Sequence, residues 1–386
     1  MIKRFLMACA AISLLAACQS PSKKAETEKN KNAFTTLVNE DVTQKRDMKL
    51  SELVEDFQII RFDNRDEALF SLRSFWPYFS ENYIALKCNK SPVKLFAKDG
   101  TFIHDVGGLG QGPGEYSYAY ECLVNEKDGH IYIALFGYTN YLLKYDMEGT
   151  FVGEVRFKEN INKGRLFALP DGSMALTHIS LIDPKGASGS FSHALIPTNG
   201  KDSIRYAYKP NLSTAAYFQE GNQTLSGLEH EIWSYRNTDD FPVMYTFSDT
   251  LYHYDMQANE LVPRFAFSMN PEARKNNWFI LTELPRYFYI NIVGDKGRNL
   301  LVDKASGEAF EIGKFTNDFL GNMDMWPRFQ DGYYFECMEP LQLMEKLEKT
   351  LASGDCPKDQ VEKLTKLKDS LDENDNNILF LGKLKQ

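Results

Sequence analysis

Two segments of the chain, "VKLFAKDGTFI" (Val93–Ile103) and "LLKYDMEGTFV" (Leu142–Val152), align without a gap 49 residues apart. Each is an apolar, aromatic run of strand character, a turn on Asp-Gly or Glu-Gly, and a second run, which is the pattern of a β-hairpin. Weaker copies follow at Leu251–Phe265 and Asn299–Ile312, and Asp146, Asp255 and Asp303 fall at the same point of their hairpins. Upstream of each hairpin lies another aromatic run, such as "SENYIALK" (Ser80–Lys87), "EKDGHIYIALF" (Glu126–Phe136), "LPDGSMALTHI" (Leu169–Ile179) and "FQDGYYFECM" (Phe329–Met338). Four strands recurring every ~45–55 residues specify the blades of a β-propeller, because one such sheet cannot bury both its faces alone.

Six units can be counted, over 72–106, 121–157, 165–208, 228–267, 279–315 and 324–382. The expected fold is therefore all-β, a six-bladed propeller. The sixth unit is interrupted at 339–375, where leucines at helical spacing among dense charges predict two short helices split at Gly354–Pro357. The chain then returns to "NILFLGKLK" (Asn377–Lys385) and ends, while "EDFQIIRFD" (Glu55–Asp63) is a spare strand at the other end. We expect Phe57–Phe62 to pair near Ile378–Leu381, supplying the outer strand of blade six and sealing the ring's open edges.

The stretch "HDVGGLGQGPGEYSY" (His104–Tyr118) holds five glycines between Gly107 and Gly114, namely Gly107, Gly108, Gly110, Gly112 and Gly114, together with Pro113. A dinucleotide fingerprint starting at Gly108 needs a glycine where Pro113 stands, and a helix where a β segment follows. No Gly-Lys-Ser/Thr completes a phosphate loop. The stretch instead falls between the outer strand of blade one and the inner strand of blade two. A chain crossing from rim to centre must turn abruptly, which glycine at positive φ allows and proline stiffens. Glu115 and Tyr116 then arrive near the channel, as pins of the corner or as ligand contacts.

The N-terminus carries Lys3 and Arg4 ahead of a short apolar run ending in Leu15-Ala16-Ala17-Cys18, which is similar to the lipobox of bacterial lipoproteins. That resemblance implies removal of residues 1–17, leaving 369, and lipid attachment at Cys18 as the membrane anchor. Residues 18–48 are polar and read as a flexible tether, with the propeller over 49–386. The net charge is −9, about −11 without Lys3 and Arg4, and an acidic chain is a poor partner for nucleic acid. Cys88, Cys122, Cys337 and Cys356 could pair in three ways or stay as buried thiols.

"GLGQGPGEY" after "LFAKDGTFI", with the lipobox and the opening "LSELVEDFQIIRFD", resembles the six-bladed β-propeller lipoproteins of Bacteroidetes. That family is grouped by shape with NHL-like propellers and has no agreed activity. The resemblance covers roughly 48–386 and implies a cell-envelope location, lipid-anchored in the outer membrane on its periplasmic or surface face, rather than a chemistry.

The six histidines are scattered and form no metal-binding motif. Asp128, Asp171 and Asp331 sit in Asp-Gly turns, where an Asx turn shaping the hairpin is the expected role. The Asp-Ser/Thr-Ile/Leu triplets at Asp202, Asp249 and Asp369 resemble a Bacteroidetes O-glycosylation sequon. Trp76-Pro77 and Trp326-Pro327, with Arg328 beside the second, fall at ends of inner strands near the channel mouth, where aromatic faces would stack on sugars or peptide rings, or pack blade on blade. The expected function is a monomeric binding or interaction scaffold for a small molecule, glycan or protein, without a cofactor. The alternative is a metal-assisted hydrolase or lyase of the lactonase type at the channel mouth, which would call for calcium.

Overall fold

The computed structural model describes residues 34–386 except 74, 138, 180–190, 199–201, 209–230, 247 and 296. Cys18 and the signal segment lie outside the described residues, as do the first positions expected for blade four.

Six small sheets form the blades of a propeller. Blade one runs Trp76–Phe79, Tyr83–Lys87, Val93–Ala97 and Phe102–Val106 in that order from inside to outside, and blades two and three repeat it over Ala119–Ile161 and Arg165–Ala207. Blade four spans Ile232–Ser268 and blade five Asn277–Asn317. Blade six takes Phe329–Gln330, Tyr333–Met338 and Ile378–Leu384 from the C-terminal part. Its outer strand is Val54–Arg61, with Arg61 opposite Ile378 and Gln58 opposite Leu381. The ring closes with one strand from the chain's beginning, so no blade is left with an open hydrophobic side.

The packing follows from this closure. Apolar residues on both faces of a blade bury it against its two neighbours, and the buried side chains of the described residues group into six apolar cores. Tyr78, Leu95, Ile133 and Tyr145 fill the space between blades one and two. Ile60, Phe79, Phe96, Phe335 and Leu379 fill the one between six and one. The latter is what the closing strand contributes: Ile60 and Phe62 lock the last blade to the first.

The asparate-centred hairpin turns form as the sequence predicts. Asp146 Oδ1 accepts the N–H groups of Glu148 and Thr150, and Asp303 Oδ1 those of Ala305 and Ser306. Two helices, Pro340–Ala352 and Lys358–Asp369, interrupt blade six. They bury Leu343, Leu347 and Leu364 in the core shared by blades five and six. The four cysteines are free thiols, three of them buried and Cys356 half-buried. Among the described residues no helix is long and apolar enough to cross a membrane.

The expected tether gives way to structure well before residue 49. Thr35–Val38 pairs in parallel with Phe265–Ser268 at the edge of blade four, and Lys45–Lys49 with the outer strand of blade five. Both blades therefore carry a fifth strand. The physical reason is visible in hindsight. Thr35, Thr36 and Val38 are β-branched, and Val42, Met48 and Leu50 are buried anchors in an otherwise polar run.

The glycine corner lies where the sequence places it, between Val106 of blade one and Ala119 of blade two. Its left-handed residues are Gly107 (φ +66°) and Gly114 (φ +74°). Tyr116 and Glu115 both bond within the corner, as the first of their two expected roles requires. The Tyr116 hydroxyl donates to the Val106 carbonyl at 2.7 Å and accepts the Val93 N–H at 2.8 Å, and the residue is only 2% exposed. A Glu115 carboxylate oxygen accepts the Gly112 N–H at 2.9 Å.

Candidate functional site

The six inner strands enter the ring from one face, so the residues near their starts share one mouth and those near their ends line the channel beyond it. Two features occupy this axis, a chain of buried charges and an aromatic cavity.

The charge chain runs through blades three, four, two and six. Lys163 pairs with Glu231 at 3.2 Å, and Glu231 with Arg165 at 3.4 Å. Arg165 pairs with Glu121 at 2.7 Å, and Glu121 also with Arg236. Arg236 ends the series on Asp331 at 2.6 Å. Within this series, among the described residues, three cations alternate with three anions, so its charges balance, the condition under which ions tolerate a low dielectric. Arg236 donates further to the Leu166 carbonyl, Arg165 to the Ile232 carbonyl and Tyr120 to Glu231. The Arg165 guanidinium also lies over the Tyr120 ring, 4.6 Å from its centre.

Burial pushes the Glu231 carboxyl up to about 7, against the pull of the Ile232 N–H and the Lys87 ammonium. Lys87, on the second strand of blade one, is pushed down to about 8 by burial and then by the nearby Arg165 charge.

Asp331 corrects the sequence reading. An Asx turn is expected of its Asp-Gly, and Asp171 does make one, accepting the Ser173 N–H. Asp331 instead reaches across the channel, with one carboxylate oxygen on Arg236 and the other accepting the Phe79 N–H of blade one at 2.8 Å. It joins three blades.

The cavity, of about 280 Å³, opens beside this chain. Blade five supplies Ile280, Thr282, Tyr289 and Asn291 to its wall. Blade six supplies Trp326, Pro327 and Arg328 from the segment leading into its inner strand, and blade one Phe75 and Trp76. Tyr235 of blade four closes it from the channel side, its ring 5.9 Å from that of Trp76. Tyr235 stacks in turn on Trp233 at 6.3 Å, and Trp233 on Trp278 at 6.0 Å, so one aromatic series spans three blades. Trp326 is 53% exposed at the rim. The structure thus brings Trp76, Trp326 and Arg328 into one wall, while Glu115 and Tyr116 belong to the corner.

The residues missed in the sequence are Tyr235 and the channel ions other than Asp331. A usable signal existed for one of them: Glu121 interrupts the apolar run Ala119–Val124 at a position a buried strand would give to a hydrophobe. Among the described residues no group of three or more His, Cys, Asp or Glu is placed to hold a metal ion. The carboxylates that meet in the channel, Glu121, Glu231 and Asp331, each face a guanidinium already. Calcium, which the hydrolase alternative calls for, finds no donor set among them.

These features define a closed six-bladed propeller with an ion-filled axis and an aromatic mouth. The chain belongs to the family of the domain of unknown function DUF4934, whose model matches residues 34–383. That span begins where the described structure begins, ahead of the strands of the expected tether. Among solved structures, an exported protein from Bacteroides fragilis is similar at a TM-score of 0.61, with 16% identity over 92% of this chain and 100% of that one. A DUF4221 family member from Bacteroides vulgatus has a TM-score of 0.44, with 10% identity over 86% of this chain and 98% of that one. The first likeness shows the fold; the second is too distant to add to it. No curated protein matches.

Proposed function

We propose that this chain is a binding module of the cell envelope, and that the aromatic cavity at the mouth holds a flat ring of its ligand, from a sugar or a peptide side chain. The carrying observation is the wall itself. Trp76 and Trp326 converge with Tyr235 on one cavity, and an indole as exposed as Trp326 offers a stacking face rather than packing a blade. The volume of about 280 Å³ lies at the lower end of ligand sites, which run to roughly 300–1,000 Å³, and suits one ring rather than a long chain. Fold alone does not assign the ligand.

Titrating the purified protein with a panel of oligosaccharides and short peptides, read by tryptophan fluorescence, tests this. A binder should lose about tenfold in affinity in Trp326→Ala and more in the Trp76→Ala, Trp326→Ala double variant, since a stacked ring contributes ~1 kcal/mol or more. Equal binding by wild type and double variant would remove the cavity from the function.

The envelope location rests on the lipobox-like Leu15–Cys18, and in our reading the anchor is a lipid on Cys18. Cys18→Ser protein is expected in the soluble fraction, because acyl chains on that residue are the proposed source of membrane affinity. Cys18→Ser protein that still pellets with membranes at high salt would point to a different contact.

A further inference from the structure

We infer that the ring held in this cavity carries a carboxylate, read by Arg328. This rests on the ring-binding reading of the site and adds the charge of the ligand to it. The cavity wall includes one ionised side chain, Arg328, and no carboxylate, in a chain whose net charge is −9. Arg328 is exposed, and among the described residues its guanidinium makes no ion pair, hydrogen bond or ring contact. Arginines elsewhere along the axis are satisfied: Arg165 and Arg236 each hold two carboxylates.

The neighbouring acid is not Arg328's partner. Glu336, on the adjacent strand of blade six, receives the Trp326 N–H at 3.3 Å, the Tyr334 hydroxyl at 3.1 Å and the Lys346 ammonium at 3.3 Å. These three donors satisfy its carboxylate and hold Trp326 beside Arg328. The Arg328 backbone is fixed as well, its carbonyl accepting the Phe335 N–H at 3.1 Å. A planar five-donor fork next to an exposed indole, with no charge partner among the described residues, matches a carboxylate projecting from a stacked ring. Thr282 and Asn291 of blade five add a hydroxyl and an amide to the lining. The carboxylate could come from a sugar acid or from an aromatic acid, and the same chemistry recognises both.

The test uses the purified protein and two matched pairs of probes, glucuronate with glucose and phenylacetate with 2-phenylethanol, each followed by tryptophan fluorescence at concentrations up to tens of millimolar. The acid of at least one pair should bind about tenfold or more tightly than its neutral partner, the scale of a charge-assisted hydrogen bond. That preference should vanish in Arg328→Gln and be partly kept in Arg328→Lys, while circular dichroism shows both variants folded. The pair that responds identifies the source of the carboxylate. Equal binding of acid and neutral partners, lost in Trp326→Ala, would overturn the carboxylate inference and leave the ring-binding reading standing. An acid preference unchanged in Arg328→Gln would overturn it too. Failure of all four probes to bind would overturn both.

Discussion

Replacing Arg236 by methionine is expected to lower the unfolding free energy by about 3–5 kcal/mol, the scale of breaking a buried ion pair from one side. Arg236 is 8% exposed and, among the described residues, the only one that joins Glu121 to Asp331. Without it Asp331 keeps the Phe79 N–H and Glu121 keeps Arg165, and each carboxylate has lost a cation in a site with little water. Burial by itself would pull the Arg236 pKa down, but the Asp331 and Glu121 charges outweigh it and hold the guanidinium above its ordinary value, so the group is charged at every pH where the protein folds. Urea unfolding checks the magnitude. Asp331→Asn alone should also destabilise, but much less once Arg236 is methionine, because the two residues act through one contact; the coupling should reach ~1 kcal/mol or more. Additive effects, or an Arg236→Met loss below ~1 kcal/mol, would mean that the blades are held by their apolar interfaces and that the charge chain is incidental.

Alanine at Gly114 or Gly107 is expected to cost about 2–5 kcal/mol, combining left-handed backbone strain of roughly 1–2 kcal/mol with overpacking of roughly 1–3 kcal/mol. A Cβ on Gly114 would lie 2.5 Å from the Phe151 Cβ, and one on Gly107 would lie 2.7 Å from the Gly114 carbonyl oxygen and 2.8 Å from the Tyr145 ring. Tyr145 cannot yield easily, since its hydroxyl donates to that same Gly114 carbonyl at 2.8 Å. Gly112 is different. It has no left-handed φ, and the nearest atom to its added Cβ is the end of the flexible Glu115 side chain at 3.1 Å. Gly112→Ala should therefore change stability by less than ~1 kcal/mol. Thermal midpoints of the three variants, with and without ATP or NAD, provide the check. A nucleotide-dependent rise in the wild type, or an equal cost at all three glycines, would defeat the corner account.

The architecture was legible because its signals are local and repeated. Asp146, Asp255 and Asp303 each shape a hairpin with atoms a few residues away, so the periodicity of blades can be read without knowing any long-range contact. The closing strand was legible from strand character at both ends of the chain. The strands at Thr35–Val38 and Lys45–Lys49 were not, since each is short and its pairing residues on blades four and five give no sign in the polar sequence around them. The channel was hidden for a related reason. Glu121, Arg165, Arg236 and Asp331 are placed side by side only by ring closure, and no spacing rule connects them. The cavity was half legible: the sequence reading names Trp76 and Trp326 but sets them where inner strands end, whereas they stand where those strands begin, and Tyr235 comes from blade four.

The three N-terminal strands have a temporal consequence. They lie in succession on the rims of blades four, five and six, with Thr35 opposite Phe265, Lys45 opposite Glu311 and Arg61 opposite Ile378. These strands thus wait for partners made much later in the chain, and they find them in the order in which blades four, five and six are made. Until then their unpaired edges must stay solvated, and the polar Lys45, Arg46 and Asp47 and the charged Glu55 and Asp56 are well suited to that wait. Each pairing also closes a loop that encloses most of the ring, so its entropy is recovered only when the blades between have already packed. A nascent chain that stops short of Ile378 has no seat for Val54–Arg61, the strand that closes the ring.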